Sequence, residues 1–508
     1  MHPPPELEPR DEHNEHLLAN VHPRDWRNPA PADRYNLVVI GAGTAGLITA
    51  AVASGLGAKV ALVERALLGG DCLNAGCVPS KAVIRSARRA HEARAAAEIG
   101  LRLDGTADVD FAAVMRRMRQ IRARISEDDS ARRYQTQLGA DVFLGEARFA
   151  GPDTVEVEGA RLRFRKAVIA TGARPVEPPI EGLAVAGFLT NETVFQLTER
   201  PRRLAVIGGG PIGCELAQAF RRLGSEVVLF HNAGHVLNRE DADAAAIVQN
   251  ALLREGVELV LGCRIHKVAA GGGGKSLRFA CEGGGEREVV VDEILVGVGR
   301  APNVAGLGLE SVGVAFDAKR GVHVDDQLRT TNRRIFAVGD VAMDWKFTHA
   351  ADAAAKIVVQ NALFFRRLRL SDLVMPWCTY TDPEVAHVGI QEHEARARGI
   401  ELDTFTIPLE RVNRAVCDGE EEGFVKLHVK KGSDRILGAT LVAAHAGEMI
   451  PSITLAMVAG LGLSKIAQAI HPYPTQAEGI KAAANAYLRT RLTPRVARLF
   501  ARFLAWTR

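Results

Sequence analysis

Cys72 and Cys77 stand five positions apart in the stretch 69–81, GGDCLNAGCVPSK. A bridge between two thiols this close ties off a small loop and removes little entropy from the unfolded chain, so it makes a poor staple. It is better suited to opening and closing, with one sulfur attacking and the other resolving. Two unrelated buried cysteines are the plain alternative for a bare C-x4-C spacing. Position argues against that, because the pair lies just downstream of a glycine-rich turn.

That turn reads as a dinucleotide site. The run 35–40 (YNLVVI) is a short apolar segment suited to a buried parallel strand. Gly41-Ala42-Gly43-Thr44-Ala45-Gly46 follows, then an alanine-rich helical stretch, then a strand at 59–63 that ends at Glu64. Gly41 permits the tight turn and Gly43 lets backbone approach a pyrophosphate. Gly46 lets helix and strand pack closely, and Glu64 accepts hydrogen bonds from ribose hydroxyls. The spacing recurs at Gly208-Gly209-Gly210-Pro211-Ile212-Gly213, between a strand at 203–207 and a helix at 215–222. One such motif is weak, but two framed by strand and helix imply two dinucleotides.

With these residues in place, the chain resembles the flavin-dependent pyridine nucleotide–disulfide oxidoreductases, a group that includes dihydrolipoamide dehydrogenase, glutathione reductase and mercuric reductase. The likeness spans about residues 33–488 and is closest to mercuric reductase and its uncharacterised relatives. It implies an α/β fold with two Rossmann-like dinucleotide-binding domains, for FAD and NAD(P), plus a C-terminal α+β dimerisation domain. The expected division is 1–32 flexible N-terminal extension, 33–173 FAD-binding domain and 174–299 NAD(P)-binding domain. Residues 300–370 complete the FAD site, 371–488 form the interface domain, and 489–508 form a basic amphipathic tail.

The resemblance also assigns roles. Segment 170–175 (ATGARP), with Thr171 and Gly172, resembles the crossing out of the flavin domain, and 297–303 (GVGRAPN), with Gly299 and Arg300, the return. In 331–340 (TNRRIFAVGD), Asp340 would hold the ribityl chain. Cys77 would lie against the flavin as a charge-transfer thiolate while Cys72 attacks the substrate. Lys81 and Glu215 match the pair near the flavin's reactive nitrogen. A homodimer is implied, with Tyr473 and Glu478 reaching the partner's dithiol.

Position 473 departs from the branches that process lipoamide or glutathione, which carry a histidine there. A phenol with an ordinary pKa of about 10 shuttles protons poorly at neutral pH. Tyr473 in HPYPTQAE resembles mercuric reductase, yet no cysteine lies beyond Cys417 to hand over a soft metal. The acceptor is therefore left as a disulfide, a metal ion or another small molecule. Dihydrolipoamide dehydrogenase is one alternative; a membrane-associated flavoprotein with an interaction role and a vestigial redox site is the other. For the nicotinamide, Phe230 is followed by His231 and Asn232, with His235 and Arg239 beyond. The absent acid and nearby bases lean towards NADPH over NADH.

Composition fits this scheme. The chain has 508 residues, too many for one core. Its net charge of +4 gives no case for nucleic-acid binding. Seven unevenly spaced cysteines do not form a secreted framework, and those other than Cys72 and Cys77 are expected to pack as small apolar residues or sit near the surface. No run reaches transmembrane length and no signal peptide heads the chain, so a cytoplasmic enzyme is expected. The tail has two readings. It lies on an anionic membrane surface at the inner face, or, the preferred reading, it docks on the protein's own surface or its dimer partner.

Overall fold

The computed structural model describes residues 6–102, 108–281, 284–364 and 366–508. Two compact units divide the chain. The first takes Met1–Gly208, Ala219–Val227 and Ile265–Leu373; the second takes Gly209–Gln218, Val228–Arg264 and Val374–Arg508.

The first unit opens with helix α1 (Glu12–Val21), then β1 (Tyr35–Ile40), α2 (Thr44–Gly55), β2 (Val60–Glu64), α3 (Gly70–Asn74), α4 (Cys77–Arg94), α5 (Phe111–Ile125), α6 (Ala131–Thr136) and β3 (Asp141–Leu144). Strands β4 (Ala147–Gly151), β5 (Thr154–Val157), β6 (Ala160–Ile169) and β7 (Ala173–Pro175) follow. The sheet runs β3-β2-β1-β6-β5-β4, and strand Ile335–Ala337 adds to β6. β1 lies parallel to β2 (Val39 opposite Leu62) and to β6 (Ile40 opposite Ile169). Parallel strands are covered on both faces, which is why β2 is apolar and buried along its length up to Glu64. The core gathers Val38, Ile40, Val63, Phe143, Phe164 and Ile335. Strands Arg203–Ile207 and Glu293–Val296 pair in parallel in this unit. The glycine run near 272 turns a hairpin in a three-stranded meander.

Two sequence expectations change here. Residues 111–138 read in sequence as a helical stretch, but it is broken: α5 ends at Ile125, and Ser130 caps α6 by accepting from the Arg133 N–H. Serine and aspartate in 126–130 favour such local hydrogen bonds over continuing a helix. The N-terminal extension is not flexible beyond residue 10, while residues 1–5 lie outside the described residues. Asp11 caps α1, which packs on α5 and buries Leu17, Leu18 and Val21. Arg119 Nε donates to Asp11 at 2.6 Å, and Arg122 Nη2 to Asn14 Oδ1 at 2.7 Å. A polar composition hid the helix because its anchors are charged pairs to distant residues.

The second unit holds a five-stranded antiparallel sheet in the order Pro376–Thr379, Glu384–Gly389, Ile436–Ala443, Phe424–Lys430, Leu402–Pro408. Helices Ala446–Val458 and Glu478–Arg491 pack on it, around Val425, Leu441, Ile453 and Ile480. Residues 228–231 run parallel to Glu258–Leu261. The last helix, Pro494–Trp506, has no buried residue: Leu499, Phe500, Phe503, Leu504 and Trp506 are all more than half exposed. Docking on the chain's own surface, half of the preferred reading of the tail, is thereby corrected. No described helix is long and apolar enough to cross a membrane.

The brace on α5 is testable. Asn14→Ala takes the acceptor from Nη2 of the buried Arg122 guanidinium, leaving only the Nη1 bond to Asn74 O, and chemical denaturation should register a loss of about 2 kcal/mol. An unchanged midpoint would show that α1 contributes nothing to the fold.

Candidate functional site

The first glycine turn and the dithiol are one piece of backbone geometry. Gly41 has φ 101°, and a Cβ on it would stand 2.4 Å from Ala170 O; a Cβ on Gly46 would stand 1.7 Å from Gly41 O. No side chain caps α2, which begins after Gly43, so its first N–H groups suit an anion. Gly69 N donates to Ala42 O at 2.8 Å, and Gly43 and Gly69 form a parallel bridge. A Cβ on Gly70 would lie 2.6 Å from Gly43 Cα, so only glycine lets the two segments cross. Glu64 is buried, and its carboxylate accepts from Ala42 N (2.6 Å) and Ala66 N (2.8 Å). Burial holds its pKa up, against those two donors. Each oxygen keeps a lone pair for a hydroxyl. These features fit the adenosine and pyrophosphate of a dinucleotide.

Cys72 lies on α3 and Cys77 opens α4, and neither is in a disulfide. Cys77 Sγ is 3.4 Å from Thr348 Oγ1, at the start of helix Thr348–Phe364. The Cys72 thiol is pushed up first by its hydrogen bond with Cys77, then by burial and the charges of Cys77 and Asp129; Thr348 opposes. Cys72 is thus the proton-holding partner of the pair. Lys81 stands one turn after Cys77, on the same side of α4.

Arg300 joins this turn to two other segments, at Asp340 and Ala173. Its guanidinium donates to Asp71, the residue before Cys72, to Asp340 at 3.1 Å and to Ala173 O at 2.7 Å. Burial alone would lower its pKa, but Asp71 and Asp340 outweigh that and hold it above the usual range. Asp340 is held up by burial, with Arg300 and Lys346 opposing. The two crossings pair with each other: β7 runs antiparallel to Arg300–Pro302. Thr171 Oγ1 donates to Asn303 O (2.7 Å), and Asn303 N to Gly172 O (3.0 Å). Gly299, at φ 129°, accepts from Val176 N at 3.0 Å.

The second glycine turn begins at Gly208 in the first unit, where a Cβ would meet Gly297 O at 2.4 Å. Gly210 and Gly213 belong to the second unit, as do Glu215, Tyr473 and Glu478. There Gly209 N donates to His231 Nδ1 at 3.2 Å. Burial and then His235 lower the His231 pKa, so this ring is a neutral acceptor and not the cation that a 2′-phosphate needs. Buried Glu215 accepts from Tyr380 N at 2.9 Å. Tyr473 is 69% exposed, with Asn413 donating to its hydroxyl at 3.1 Å. Glu478 opens helix Glu478–Arg491.

Thr348, Asp71 and Asp129 were missed by sequence reasoning. Asp71 had a signal, since it adjoins Cys72; Thr348 and Asp129 had none. Among the remaining cysteines, Cys263 and Cys281 are disulfide-bonded, against the expectation of small packing or surface residues. Among described residues, no cluster of His, Cys, Asp and Glu could hold a metal.

Comparison with known proteins matches residues 35–355 to the pyridine nucleotide-disulphide oxidoreductase family model and 375–484 to its dimerisation domain. A mercuric reductase of Lysinibacillus sphaericus is 35% identical over 89% of this chain and 82% of its own. A dihydrolipoyl dehydrogenase of Thermus scotoductus is 35% identical over 89% of this chain and 97% of its own. The structure of the HOCl-induced flavoprotein disulfide reductase RclA from Escherichia coli has TM-score 0.79 at 28% identity, covering 89% of this chain and 99% of that one.

Gly70→Ala tests the crossing. The added methyl must push the dithiol turn off Gly43, so purified protein should carry at most about a tenth of the wild-type FAD. Full flavin content would show that the crossing does not shape the cradle.

Proposed function

The chain belongs to the pyridine nucleotide–disulphide oxidoreductase family, and from that premise we propose how its residues pass electrons from NAD(P)H through FAD to Cys72 and Cys77. The family and its relatives make the protein an FAD-dependent oxidoreductase of this class. When bound, FAD takes hydride from the nicotinamide and gives an electron pair to the disulfide. Cys77 leaves that disulfide towards the flavin side, and Cys72 takes the proton and exchanges with the acceptor. Gly41, Gly43, Gly46, Glu64, Thr171, Gly172, Arg300 and Asp340 hold FAD. Gly208, Gly210, Gly213 and Gly299 hold the nicotinamide dinucleotide. Lys81 and Glu215 supply charge near the flavin's reactive nitrogen. The dimerisation-domain match supports a homodimer, with Tyr473 and Glu478 of each chain serving the other's dithiol. The expected division into FAD, NAD(P), central and interface segments is kept.

The observation that carries this reading is the dithiol turn resting on the first glycine turn, where Gly69 N donates to Ala42 O and Gly70 crosses Gly43. A small-molecule disulfide or a metal ion is the acceptor class. The lean towards NADPH is left to His235 and Arg239. Anaerobic NADPH titration should free two thiols per chain and raise a long-wavelength absorption. Cys77→Ser should abolish both, and reduction of bound FAD without new thiols would remove the dithiol from the route.

The unburied C-terminal helix favours a second reading, in which a cytoplasmic enzyme rests on the inner membrane face. No acidic residue follows Glu478, whereas Arg495, Arg498 and Arg502 flank the apolar side. Full-length protein should co-sediment with anionic phosphatidylglycerol vesicles, and protein lacking 489–508 should not. Equal sedimentation of the two would end this reading.

A further inference from the structure

Asp129 is a titratable neighbour of the dithiol to which no role has yet been given. It lies in the α5–α6 turn, its N–H on Ser126 O at 3.1 Å. Its Oδ2 lies 3.0 Å from the point where a Gly69 Cβ would be, so the carboxylate rests on the backbone leading into Cys72. The turn is held from both sides: Ser130 caps α6, and Arg122 of α5 donates to Asn74 O at the end of α3 at 2.7 Å.

The groups facing Asp129 are few. Asp128 repels it and Arg133 attracts it from its own turn and α6, and buried Tyr134 lies within range of its charge. From α3 the facing group is Cys72, which is coupled to Cys77 of α4. Burial, then Asp128, push the Asp129 carboxyl up to about 6, against Arg133. The charge of Asp129 in turn adds to the upward push on Cys72.

We propose that Asp129 is a positioning residue for the nucleophile: from within the same chain, its charge sets whether Cys72 is kept as thiol or released as thiolate. With the carboxylate ionised, the proton stays on Cys72. With the carboxyl protonated, or once a cationic acceptor arrives beside it, Cys72 gives up its proton more readily. This role fits a chain whose position 473 offers a phenol.

The inference rests on the dithiol reading, and the test separates the two. In Cys77→Ser holoenzyme, where Cys72 is the remaining thiol of the pair, iodoacetamide labelling of Cys72 is followed by peptide mass spectrometry from pH 5 to 9.5. Removing one nearby charge with Asp129→Asn should lower the apparent thiol pKa and speed labelling at pH 8 by about 3- to 10-fold. Asp129→Glu should restore the parent profile, and Asp128→Asn should change the rate less than about two-fold, since an exposed charge is screened. Asp129→Ser repeats the charge removal should the Asn variant not fold. Superimposable profiles with and without the Asp129 charge, or an equal shift from Asp128→Asn, would overturn the proposal. A wild-type enzyme that frees no thiols with NADPH would instead sink the dithiol reading itself.

Discussion

Two stretches of backbone cross at Gly43 and Gly70 with no side chain between them, and the rest of the first unit is arranged around that crossing. The upper stretch is the entrance to α2, whose first N–H groups have no side-chain cap; the lower one leads within two residues to Cys72. Chemistry that moves electrons between a bound ring system and a sulfur pair needs the two held at fixed separation, and a crossing with no rotatable side chain supplies it. Gly41 and Gly46 tighten the same turn against Ala170 and against the turn's own backbone.

Arg300 extends this rigidity by charge. One guanidinium holds Asp71, Asp340 and the Ala173 carbonyl, so the dithiol turn, the Asp340 turn and the crossing strands share one partly buried cation. Lys346, donating to Asp340 O at 2.9 Å, adds a second cation, and partial burial makes each member sensitive to the loss of another. The elevated positions of Asp340 and Glu192 reflect the same crowding, each led by burial.

Much of this was legible in the sequence because glycine spacing and thiol spacing are local signals. The two turns and the strands around them needed only neighbouring residues to be read. What escaped depends on distant partners. The break in 111–138 is a capping event, but what it does for Cys72 follows from where α3 lies. The place of His231 among the bases after Phe230 leaned towards NADPH, but its ring accepts from Gly209 N, a partner 22 residues away. The tail read correctly as amphipathic, but whether its face was covered could not be told from its own residues.

The N-terminal segment carries a consequence for biosynthesis. Asn20 pairs with Ser126 across 106 residues, and Asn28 with Leu144 across 116. Val21 O also receives Leu68 N at 3.2 Å, on the approach to the dithiol turn. These long-range partners of the N-terminal segment, near α5 and β3, leave the ribosome about a hundred residues after it, so its docking there follows the making of that part of the first unit instead of starting it.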